Sequence, residues 1–163
     1  MNRRQALKWL YVGSLLLSLF LLLLPLPNVI QPFKPYWPIL VLMFWTLESP
    51  GRMHLGLAFA MGLGADLLDG VLLGDQAMRL TVAVFLIARF RSRLRFFPMW
   101  QQILAVLVVL FNDRVLQLVI RFFAGEALPP PLFWVAPFVG AACWPFVFLL
   151  LDDLYTRLRV RET

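Results

Sequence analysis

Two carboxylates three residues apart inside an apolar stretch, Asp66 and Asp69 in MHLGLAFAMGLGADLLDGVLLG, carry the clearest capacity for chemistry in this chain. On a helix that spacing puts both acids on one face, where they can bind a cation, relay a proton, or neutralise buried bases. The third use has partners at hand. Asn112, Asp113 and Arg114, followed by Gln117 and Arg121 at steps of three and four, form a polar stripe on a second apolar stretch, and Arg79 stands between the two in sequence. A charge in the middle of a bilayer costs about 2.5–3.5 kcal/mol on insertion scales, so each sign calls for the other. Counted by helical rise from the basic ends of their segments, Asp66 lies about 20 Å in and Arg114 about 26 Å in. The spacing therefore predicts a buried polar cluster in which Asp66 and Asp69 pair with Arg114, Arg121 or Arg79. Contact with a partner or small ligand, and ion or proton transport, are the other readings of the same acids.

Other chemistries lack their parts. His54 and Cys143 are each the single residue of their type and lie in different segments, which leaves no nucleophile–base set, no disulfide framework and no cysteine-rich metal site. His54 is expected as an interfacial side chain. GLGADLLDG contains glycines but follows no strand, so it is not a dinucleotide fingerprint. No cofactor, no metal and no enzymatic activity are expected.

The elements that position these groups follow from composition. The chain has 163 residues, of which 61% are hydrophobic and 15% charged; its mean hydropathy is +0.80. A soluble domain is nearer one half apolar, so this is an all-α integral membrane protein, one domain over 1–163. The net charge of +6 does not point to nucleic acid, because its sources are grouped as topology signals. Eleven of the fifteen basic residues fall in four clusters: Arg3, Arg4 and Lys8; Arg52; Arg89, Arg91, Arg93 and Arg95; Arg157, Arg159 and Arg161. If all four are cytoplasmic, both termini are inside and an even number of crossings separates neighbouring clusters. Six crossings fit best, at about 7–24, 38–48, 53–74, 77–90, 97–123 and 133–151. Four would also satisfy the rule if the two shortest did not span.

The third segment, 53–74, reads as the buried centre. Gly56/Ala60/Gly64 and Ala58/Gly62 form two rows on nearly opposite sides, and the second continues into Asp66, Asp69 and Gly70. Small residues let helices approach closely where no hydrophobic force drives association. Ser14 and Ser18 offer a packing strip on the first segment, or bond back to their own backbone. The loop 25–38 holds five prolines and places Tyr36 and Trp37 at the membrane interface. A second proline-rich loop covers 124–134, and Pro137 and Pro145 can kink the last segment, which Asp152 and Asp153 end. Arg89, Arg91, Arg93 and Arg95 alternate in RFRSRLRF. Spread around a helix, they suit an anionic lipid surface or an acidic cytoplasmic partner.

With these residues in view, the chain resembles the MreD family of rod shape-determining proteins of bacterial inner membranes. The resemblance rests on Pro50-x-Arg52 followed by Gly56, Gly62, Asp66, Gly70 and Leu73-Gly74; on Phe33-x-Pro35-x-Trp37; and on Trp144-Pro145 with Phe148, Leu149 and Leu150. It implies a non-enzymatic subunit of the cell-elongation machinery, paired with MreC and associated with MreB, RodA and the transpeptidase partner of RodA. It also implies a six-helix bundle similar to the S subunits of energy-coupling-factor transporters. Two functions follow. One is a scaffold that binds a partner's membrane helix through small-residue faces; the other is a small-molecule binding or transport subunit that uses the outer polar cluster.

Overall fold

The computed structural model describes residues 2–48, 54–70 and 73–160, with the backbone alone at His54. Among them the chain is helical, without a strand: α1 (Arg3–Leu23), α2 (Trp37–Glu48), α3 (His54–Asp69), α4 (Asp75–Arg89), the single turn α5 (Arg91–Leu94), α6 (Met99–Phe123) and α7 (Ala136–Val160). Short 3₁₀ turns sit at Gln31–Phe33 and Pro131–Trp134. Pro50, Gly51, Arg52, Met53, Val71, Leu72, Arg161 and the His54 side chain lie outside the described residues, so the first basic turn is not placed.

Three stretches, Arg3–Leu23, Met99–Phe123 and Pro131–Val160, are long and apolar enough to cross a bilayer. Trp9, Leu16, Phe20, Val108, Phe122 and Phe146 stand exposed along them. Such a coat is at home in hydrocarbon and would drive aggregation in water.

The packed centre is α2, not the glycine-rich α3 that the sequence singles out. Leu40, Leu42, Met43 and Phe44 are fully enclosed, and Ile39, Trp45 and Leu47 nearly so. A helix apolar on every side needs neighbours on every side, and α2 packs against α1, α4 and α7. Tyr11, Phe44 and Tyr155 meet Trp45 edge-on, with ring centroids 5.0 to 5.9 Å from its own. The Trp45 indole N–H donates to Ser14 Oγ at 2.8 Å, while Ser14 donates back to Tyr11 O and Ser18 to Leu15 O. Both readings of the serine strip therefore hold at Ser14. By contrast, α3 is covered only in part among the described residues: Ala58, Met61, Ala65 and Asp66 are buried, and Leu67 and Leu68 are exposed.

The six long helices run alternately between two ends. The N-terminal part of α1, the end of α2, α5 and the last turns of α7 share one end, where Leu10 lies beside Leu154 and Arg157. The opposite end gathers Leu22, Lys34, Tyr36, Gln76, Arg114 and Phe133. Lys34 holds the loop against α1 by donating to the carbonyls of Leu22 and Leu24, two acceptors that the end of a helix leaves free. Asp152 and Asp153 do not stop α7, which continues to Val160 with Arg157 bonded to Asp153 one turn back. Pro145 lies inside that helix.

Candidate functional site

A close joint between α3 and α4 positions the site. A Cβ added to Gly62 would fall 2.2 Å from Ala77 Cα, so the backbones of α3 and α4 touch there. That contact sets the Ala58/Gly62 row against α4 and brings Asp66 to the first turn of α4. Asp66 is 1% exposed and accepts the backbone N–H groups of Gly74 at 2.9 Å and Gln76 at 3.1 Å. Its charge is met by helix-terminal donors rather than by an arginine. Gly74 makes the joint possible: its φ of +97° is open to glycine and strained for other residues. The pairing of Asp66 with Arg114, Arg121 or Arg79 is thus replaced by a cap, because at this depth the nearest free donors are main-chain. Asp69, three residues on, is exposed and also makes no ion pair among the described residues.

The buried arginine finds other acids. Arg79 Nη1 donates to both oxygens of Asp113 on α6 at 3.2 and 3.3 Å, and Arg79 Nε lies 3.3 Å from Asp75 one turn earlier. Its guanidinium lies 5.0 Å over the ring of Tyr36. The Tyr36 hydroxyl in turn donates to Gln76 Oε1 at 3.0 Å. Tyr36 is buried, not interfacial as its position beside Trp37 suggests, because its ring covers this ion pair. Five side chains from three elements thereby close one polar unit in the interior.

Beside it on α6, Arg114, Gln117 and Arg121 do form a stripe. Arg114 donates to Gln117 Oε1 at 3.0 Å, and the guanidinia of Arg114 and Arg121 lie 4.6 and 5.7 Å from the ring of Phe133. Arg121 also approaches Glu126 at 3.7 Å, with both side chains partly exposed. This stripe walls a cavity of about 670 Å³, which Asp69, Asp75 and Arg79 also line. Lys34 stands in the loop at its edge; burial lowers its pKa, against the field of Asp69. Among the described residues, no three His, Cys, Asp or Glu side chains converge as metal ligands would.

The remaining candidates are dispersed. Gly56 and Ala60 are exposed on the outer side of α3, Gly64 on the same row is half-buried, and an added Cβ at Gly56 or Gly64 meets nothing within 4 Å. Gly70, at φ +68°, closes α3. Arg89, Arg93 and Arg95 are exposed at the far end, but Arg91 is half-buried and donates from Nε to the carbonyls of Thr46 and Leu47, both at 3.1 Å. The sequence does not single out Lys34 or Phe133, and it places Tyr36 at the interface and Asp75 and Gln76, with Arg79, at the exterior surface rather than in one buried unit. Of these, Asp75 alone carried a local signal, its i, i+4 spacing to Arg79.

A family model described as rod shape-determining protein MreD matches residues 3–154. The rod shape-determining protein MreD of Haemophilus influenzae is 32% identical over 164 residues, covering 98% of this chain and 99% of that protein. No solved structure matches.

Proposed function

This chain belongs to the MreD family of rod shape-determining proteins, and from that premise we propose that it is a non-catalytic inner-membrane scaffold of the cell-elongation complex. It binds MreC, and through MreC it stands with MreB, RodA and the transpeptidase partner of RodA to influence peptidoglycan synthesis. All six long helices cross the membrane, with both termini in the cytoplasm, in a bundle of the S-subunit type. α2, α3 and α4 have 12, 16 and 15 residues, which is short for a hydrocarbon core about 30 Å thick. Irregular backbone at membrane depth is tolerated where protein covers it, and α2 is covered all round.

The observation that supports a docking role is the row Gly56, Ala60, Gly64 on α3, exposed at its first two positions and half-buried at the third, on the face opposite the Gly62 joint. With Leu55 and Phe59 exposed beside it, this face suits a single apolar helix approaching backbone to backbone. The test is cysteine crosslinking in a Cys143→Ser background. Gly56→Cys or Gly64→Cys should crosslink to cysteines in the MreC membrane helix, and MreC should co-purify. Co-purification without a crosslink would move the interface elsewhere. Failure of both would remove the scaffold reading.

A further inference from the structure

We propose that the cavity at the end of the bundle opposite the termini binds an oxyanion, a phosphate or carboxylate group held principally by the guanidinium of Arg114. At about 670 Å³ the space falls within the range of small-molecule pockets. Its walls carry charges of both signs, and most of these are already matched. Arg79 is held by Asp113 and Asp75, and Arg121 faces Glu126. Lys34 is engaged by two carbonyls, with Asp69 the acid whose field it feels. Arg114 differs from all of these. No carboxylate lies within ion-pair distance of it among the described residues, since its chain neighbour Asp113 is taken by Arg79.

The chemistry of that group decides the ligand. A guanidinium carries five N–H donors in a planar fork, and the structure commits one of them, to Gln117. The cation–π contact, with the guanidinium carbon 4.6 Å from the Phe133 ring centroid, holds the group in place before anything binds, so a contact to an oxyanion requires less further ordering. Arg121, one turn beyond Gln117 and against the same ring, adds a second positive charge that its exposed acid only weakly offsets. Leu22, Leu24 and Pro25 in the same wall leave room for an apolar neighbour, so the oxyanion can belong to a lipid headgroup or to a soluble molecule.

The full chain in phosphatidylcholine nanodiscs separates these sources. Inorganic phosphate titrated calorimetrically probes the soluble one, and phosphatidylglycerol added in steps and counted by native mass spectrometry probes the lipid one. Saturable one-site binding in either arm is expected, weakened about tenfold or more by Arg114→Gln, since loss of a charged hydrogen-bond pair is of that size. In the phosphate arm Arg93→Gln, an exposed residue at the other end, should leave the affinity unchanged. No saturable binding in either arm, or equal weakening of phosphate binding by Arg93→Gln, overturns the proposal. If Arg114→Gln does not give a monodisperse protein, Gln117→Ala and Arg121→Gln report on the same wall. Unchanged affinity in both would overturn it as well.

Discussion

Arg79 on α4 and Asp113 on α6 hold each other across the interior, with Nη1 3.2 and 3.3 Å from the two carboxylate oxygens and side chains only 6% and 1% exposed. Neither charge is tolerable there alone. Arg79→Gln should cost about 3–5 kcal/mol, because Asp113 remains buried and unmatched, and Asp113→Asn should cost less, because Asp75 still faces Arg79. Replacing both by apolar residues of similar size should recover most of the loss. Equilibrium unfolding in mixed micelles checks this through a double-mutant cycle, and simple additivity of the two losses would contradict it.

Asp66 has main-chain partners, so its substitutions follow a cap rather than an ion pair. Asp66→Ala strips acceptors from two N–H groups, Gly74 and Gln76, and should cost about 2–4 kcal/mol. Asp66→Asn keeps one acceptor and should cost less. Combined with Arg114→Gln it should be additive to within about 0.5 kcal/mol, as for sites that share no partner. A larger coupling in the same unfolding measurement would restore the ion pair that the sequence suggested.

The two faces of α3 should answer glycine substitution in opposite ways. Gly62→Ala pushes a methyl group into the Ala77 backbone and should destabilise by about 1–3 kcal/mol or more. Gly56→Ala enters open space and should leave stability unchanged or raise it by up to about 1 kcal/mol through helix propensity. Gly56→Leu should still fold yet release MreC on affinity purification. Thermal unfolding and co-purification, read together, separate packing from docking.

Composition announced helices in lipid, and the small-residue spacing of α3 announced close approach on two sides. Among the described residues, Gly62 meets α4 closely, whereas Gly56 and Ala60 stay exposed. Ala58 and Gly62 are indistinguishable in sequence from Ala60 and Gly64; what separates them is which row Ala77 reaches. The central role of α2 was hidden for a related reason. Its run from Ile39 to Leu47 is apolar without a polar side, and such a run reads equally as lipid-facing or fully enclosed. Within the polar cluster, the stripe Arg114, Gln117 and Arg121 was legible because one helix carries it. The Arg79–Asp113 pair depends on how α4 leans on α6, and Tyr36 on how a proline-rich loop folds back over both. Spacing along the chain encodes neither.

Four arginines at alternate positions, Arg89, Arg91, Arg93 and Arg95, look equivalent in sequence and should behave as two classes. Arg91 donates to the last carbonyls of α2, groups that the helix itself leaves unmatched at its C-terminus, and it sits half-buried to do so. Arg91→Gln should therefore lower stability by about 1.5–3 kcal/mol, the scale of a charged hydrogen bond. Arg89, Arg93 and Arg95 are exposed, so glutamine at any of them should change stability by less than about 0.5 kcal/mol. Their effect should appear instead on a charged surface: each replacement should weaken affinity for phosphatidylglycerol-containing membrane by about 1 kcal/mol, and added salt should erase the difference. Unfolding in neutral micelles measures the first class, and accessibility of the segment to protease with and without anionic lipid measures the second. If all four substitutions shift stability alike, α2 is not capped by Arg91. If none responds to lipid charge, the exposed three do not rest on a membrane surface.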